Sequence, residues 1–162
     1  MVCAFTGHRP QNLPWGEDET DERCAALKRL LADTADSLAA EGCTRFLCGM
    51  ARGCDFYFAE AVLGLRDRKY PGIRLVAVMP CPTQAACWPE KDRARHEALL
   101  LAADEVRTNE RGYSPGCMLR RNRAMVDEAD VLVTVYDGGR GGTAATVRYA
   151  EAAGLRIVSL WR

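Results

Sequence analysis

Three short segments set glycine beside arginine: Thr6-Gly7-His8-Arg9-Pro10, Gly49-Met50-Ala51-Arg52-Gly53 and Asp137-Gly138-Gly139-Arg140-Gly141-Gly142-Thr143. Glycine lets backbone N–H groups approach an anion with no Cβ in the way, and the planar guanidinium can hold two oxygens at once. The second and third segments run directly into helical patterns, and a helix start carries free N–H groups and partial positive charge. The chemistry these residues suit is the holding of a phosphate. The expected ligand-binding set is Thr6, Gly7, His8, Arg9, Gly49, Met50, Gly53, Asp55, Asp137, Gly138, Gly139, Gly141, Gly142 and Thr143, with Arg9 as the counter-charge.

Several side chains in or near these segments have two readings. His8 polarises a ligand oxygen or caps its loop. Asp55, at the start of a helix, matches the positive helix end or accepts from a ribose hydroxyl, and Asp137 shares that ambiguity. If a reaction occurs, its acid or base is sought among Asp55, Asp137 and His8, to activate water or stabilise a developing cation. Trp88 and Tyr113 stand in irregular segments, where they stack on a base or cover the core. Arg120, Arg121 and Arg123 read as a solvated helix face, and His96 as a surface residue. Neither GxGxxG nor GxxxxGK[ST] occurs, which argues against dinucleotide dehydrogenases and P-loop triphosphatases. Eight cysteines stand at 3, 24, 43, 48, 54, 81, 87 and 117, with no CxxC and only two histidines. That spacing suits neither a zinc site nor a disulfide framework, so the expectation is cytosolic thiols, no metal and no required cofactor.

The elements that must position these loops follow from hydrophobic periodicity. Apolar runs at 2–6, 45–48, 73–79, 105–107, 131–136 and 156–160 read as strands. Helical patterns occupy about 22–41, 55–68, 89–103, 118–128 and 144–153. Strict alternation predicts an α/β, three-layer, Rossmann-like doubly wound domain with a mostly parallel sheet of about six strands, because each parallel crossover needs a helix. In such a sheet the loops after strands one, two and five share the carboxyl edge, where ligands of open α/β sheets bind. At 162 residues and 17.9 kDa the chain has the size of one domain, 1–162. Lys+Arg and Asp+Glu are both 22, so no global field holds a nucleic-acid backbone or an anionic membrane. No apolar run reaches membrane-span length and no secretory signal precedes the first strand, so a soluble cytoplasmic protein is expected.

Taken together, TGHRP (6–10), GMARGCD (49–55), WPEKD (88–92), YSPGCMLRRNRAMVDEAD (113–130) and DGGRGGT (137–143) make the chain resemble the YpsA-like family of the SLOG superfamily, a Rossmann-like group related to DprA/SMF and Lonely guy proteins. The resemblance implies a bacterial or phage-type protein with a nucleotide-class ligand at the glycine loops. An ADP-ribose, NAD or AMP type of ligand, bound by a sensor or regulatory module, is the first expectation. A nucleotide N-glycosidase or phosphoribohydrolase is the second. Lonely guy enzymes carry a catalytic glutamate in PGGxGTxxE, and alignment on Gly142-Thr143 places Thr146 at that position. Single-stranded DNA binding of the DprA kind ranks third, since neutrality and 7% aromatic residues leave little for a strand to bind, so nucleic acid is not an expected partner. Superfamily relatives often dimerise, and the helix over 118–128 is a candidate homodimer interface.

Overall fold

The computed structural model describes residues 1–160. Six strands and five helices alternate: β1 (Val2–Gly7), α1 (Glu22–Ala40), β2 (Arg45–Cys48), α2 (Cys54–Arg68), β3 (Arg74–Met79), α3 (Glu90–Ala102), β4 (Glu105–Thr108), α4 (Cys117–Glu128), β5 (Val131–Val135), α5 (Gly142–Ala152) and β6 (Arg156–Ser159). Every strand pair is parallel, in the order β4-β3-β2-β1-β5-β6. The α/β doubly wound expectation therefore holds, and each expected element lies within about two residues of its predicted span. The largest local shift is at α5, which begins at Gly142 rather than 144.

Side chains alternate across the strands, so one run of residues feeds two cores. Cys3, Phe5, Phe46, Cys48 and Leu75 face α1, α2 and α3, whereas Ala4, Leu47, Val76 and Leu132 face α4 and α5. The first core centres on Phe5 and Phe58, stacked with ring centroids 4.4 Å apart. Helix α1 fits that layer because Cys24, Leu27, Leu31, Ala35 and Leu38 recur on one face. Its start is fixed by Asp21, whose carboxylate accepts from the Arg23 N–H. Crossovers from β1 to β4 all step one way, and the connection through α4 then returns past β1 to β5. Between β1 and β5 the direction reverses, and the crevice above such a reversal is the usual ligand position in open α/β sheets.

Candidate functional site

A cavity of about 110 Å³ opens at this reversal, on the carboxyl edge of the sheet. Its walls are the turn after β1, the first turn of α2, the outer part of α4, and the glycine loop with the start of α5. Of the sequence-predicted residues it brings together Thr6, Gly7, His8, Arg9, Asp55, Gly139, Gly141, Gly142 and Thr143. Arg140, Arg121 and Asn122 join them. Thr6 is buried and its hydroxyl has no hydrogen-bond partner among the described residues.

The remaining predicted residues shape the site from behind. Gly49 is needed because a Cβ there would lie 2.6 Å from the Arg121 guanidinium carbon. Met50 turns its side chain fully into the core at a left-handed φ of 61°. Gly53 caps α2 at φ 86°, where a Cβ would lie 2.9 Å from the His8 carbonyl oxygen. Asp137 and Gly138 stand just outside the cavity. The Asp137 carboxylate accepts the Gly139 N–H at 2.9 Å, which folds the glycine loop and, with the neighbouring His8, holds that carboxyl below its ordinary range. His8 Nε2 accepts the Asp137 N–H at 3.1 Å, so the neutral ring carries its proton on Nδ1. A protonated Nε2 would instead face the Asp137 carboxylate oxygen 3.3 Å away.

Asp55 is the one carboxylate inside the cavity. It is buried, and one oxygen accepts the Ala51 N–H at 2.9 Å. Burial pushes its carboxyl up to about 6, against the pull of Arg121, the Ala51 N–H and Arg9.

Two expectations are corrected. Arg121 is not on a solvated face: it is buried, its Nη1 donates to the carbonyls of Gly49 and Val78, and its Nε donates to Asn122 Oδ1 at 2.7 Å. Arg120 and Arg123 do face solvent, one engaging Glu110 and the other lying over the Tyr149 ring. His96 is likewise buried, edge-on to Trp88, with its Nε2 3.1 Å from Gln84 Oε1. Gln84 in turn donates to the Gly49 carbonyl at 2.9 Å. Asn122 donates to Thr146 Oγ1 at 3.0 Å, and Thr146 to the Gly142 carbonyl at 2.8 Å. The residue aligned with the Lonely guy glutamate thus serves as a tether for the first turn of α5.

The aromatic candidates separate. Tyr113 is 69% exposed and lines no part of the cavity. Trp88 packs on Phe56 and His96 and borders a smaller neighbouring chamber that shares Arg9, Ala51 and Met118 with the main one. The largest cavity in the molecule, about 470 Å³, lies away from these loops, beside Trp15, Leu27, Leu30 and Leu160. It is the roomier site but a mostly apolar one, whereas the smaller cavity gathers the arginines, the helix start and the buried carboxylate. Among the described residues no cluster of three His, Cys, Asp or Glu side chains is placed to hold a metal ion, and no helix is long and apolar enough to cross a membrane.

The sequence pattern designated YpsA, the YspA SLOG family, matches residues 3–154. The uncharacterised SPbeta prophage-derived protein YoqJ of Bacillus subtilis (strain 168) is 30% identical over 146 residues, covering 83% of this chain and 84% of that protein. A UPF0398 protein of Bacillus licheniformis is 28% identical over 138 residues, covering 84% and 74%. Among solved structures, DNA processing protein A from Helicobacter pylori, described for its single-stranded DNA binding mode, superposes with a TM-score of 0.67 at 18% identity. That match covers 98% of this chain and 64% of the DNA processing protein, so the chain spans under two thirds of that protein's length.

Proposed function

Because the chain belongs to the YspA SLOG family, we propose that it binds a nucleotide or nucleotide derivative in the cavity between β1 and β5 and acts as a sensor or regulatory module. The phosphate sits on the glycine loop at the start of α5, with Arg9 and Arg140 as counter-charges. The observation that carries this reading is the convergence, at the reversal of strand order, of a helix start with an unengaged buried hydroxyl on Thr6. Backbone N–H groups at the first turn of α5 have no intrahelical acceptor, and a phosphate supplies one. The cavity is too small for a whole nucleotide, so the base extends outward, toward Arg9 and the Trp88 chamber.

A reaction at the N-glycosidic bond is the second reading, favoured by one observation, the buried Asp55 carboxyl facing the same cavity. The test for both is a thermal-shift panel of AMP, ADP, NAD, ADP-ribose, cyclic nucleotides and a short single-stranded oligonucleotide, each mixture then assayed for free base. A ligand at about 100 times its Kd adds roughly 2.7 kcal/mol, a Tm rise of about 5–10 °C in a domain of this size. A shift without base release supports the sensor. Base release makes the protein an N-glycosidase using an acid other than the Lonely guy glutamate. A shift with the oligonucleotide alone moves the function to DNA, the ligand named for the Helicobacter pylori relative in fold. No shift with any of them leaves the glycine loops as turns and refutes the proposal. The reading carries with it a cytoplasmic location and a homodimer through α4, which light scattering after size exclusion tests: a species near 18 kDa removes the dimer.

A further inference from the structure

We infer that the cavity reads the cis-diol of a ribose, through an acceptor on Asp55 and a donor on Arg121, and so selects ribonucleotides over 2′-deoxy and 3′-deoxy forms. This rests on the nucleotide reading above and narrows it to one sugar.

Both side chains line the cavity, both are nine-tenths buried or more, and each has one unengaged polar atom. The Asp55 carboxylate gives one oxygen to the Ala51 N–H, and among the described residues nothing donates to Oδ1. Arg121 spends Nη1 on two carbonyls and Nε on Asn122, and Nη2 has no described acceptor. The two charges attract across the cavity without forming a direct ion pair. A buried charged group left without a partner is costly, so a site that keeps an acceptor and a donor unspent, facing each other over a gap, is built to be completed by a guest. The guest must present one group that donates and a neighbouring one that accepts. Vicinal hydroxyls do so, since each is donor and acceptor at once. A phosphate does not, because it has no proton for Asp55 at neutral pH and is repelled by it. The phosphate therefore goes to the glycine loop, where no carboxylate faces inward, and the sugar to the Asp55–Arg121 gap.

Asp137, the other carboxylate considered for ribose, does not share this arrangement: it is exposed, and its Oδ1 is occupied by the Gly139 N–H. The 2′-hydroxyl is also what separates RNA from DNA at a protein site, so the same geometry disfavours a DNA strand here.

The test compares AMP, GMP, CMP and UMP with their 2′-deoxy and 3′-deoxy counterparts by calorimetry on the unaltered protein. The expected result is that loss of either hydroxyl weakens binding on the order of 10- to 100-fold, as for a hydrogen bond to a charged group. In Asp55→Asn the amide oxygen keeps the Ala51 N–H while the amide nitrogen faces the cavity, and the preference falls to a few-fold. Equal binding of ribo and deoxy forms overturns the inference and leaves the nucleotide reading standing. An undiminished preference in Asp55→Asn overturns the assignment to Asp55. Binding of none of the nucleotides overturns the parent reading and this one with it. Should Asp55→Asn fail to fold, the ligand comparison on the unaltered protein still decides.

Discussion

Replacing Asp55 by asparagine changes the pH dependence of stability in a direction fixed by burial. An ordinary aspartate titrates near 3.8, and in the folded protein Asp55 is pushed up to about 6. The folded state therefore holds this proton more tightly than the unfolded chain. Its stabilising contribution is complete below the unfolded value and is lost as pH rises through about 6. A shift of roughly 2 units at ~1.36 kcal/mol each puts the loss at ~3 kcal/mol by pH 7.5. Asparagine keeps the shape and the Ala51 hydrogen bond without a charge to desolvate. The carboxylates held low by arginine partners, such as Glu19, Glu41 and Glu110, lose stability in the opposite direction, as pH falls. They are common to both proteins and cancel in the difference. Urea unfolding of both proteins from pH 4 to 8 should show the difference moving in the variant's favour by ~3 kcal/mol across that range. A difference that stays flat, or moves the other way, would mean that Arg121 and Arg9 outweigh desolvation and that Asp55 is an ordinary carboxylate.

Further outcomes follow from the packing. Gly49→Ala forces a methyl into the Arg121 guanidinium and should cost about 2 kcal/mol or more, read as a lower urea midpoint; a neutral effect would displace Arg121 from that position. Arg140→Ala removes an exposed cation at the cavity mouth and should leave stability within about 0.5 kcal/mol while weakening nucleotide binding about tenfold by calorimetry; unchanged affinity removes Arg140 from the site. Seven of the eight cysteines are buried and Cys87 is exposed, so alkylation of the native protein should label Cys87 alone before unfolding; rapid labelling at Cys48 or Cys54 would contradict the core described above.

The sheet and the cavity were legible in the chain for different reasons. Strands such as Val131–Val135 are buried on both faces and read as unbroken β-branched runs, and the glycine turns mark where each strand hands over to a helix. Given parallel strands, the meeting of residues 6–9 with 139–143 at one edge follows from topology alone. Arg121 was not legible. On α4 it sits between Arg120 and Arg123, and no sequence periodicity distinguishes an arginine that fills a hole under the Gly49 carbonyl from its solvated neighbours. The one available signal is indirect, since Gly49 has no turn geometry that requires glycine and must be small for another reason. His96 misleads in the same way: four charged residues precede it on α3, yet it lies on the helix stripe that meets Trp88 and Phe56. Met50 and Gly53 looked like ligand positions because they flank an arginine, but their backbones are spent on bringing α2 against the β1 turn.

The chain of contacts from His96 through Gln84, the Gly49 carbonyl, Arg121, Asn122 and Thr146 to Gly142 crosses from one helical layer to the other. Its far end is the first residue of α5, and its near end is a histidine held edge-on against an indole. A guest that pulls on the start of α5 therefore acts on one terminus of a linkage whose other terminus sets the surroundings of Trp88. The protein carries its own optical gauge of occupancy: tryptophan emission should change when the cavity fills, and that change should vanish in Trp88→Phe while binding persists.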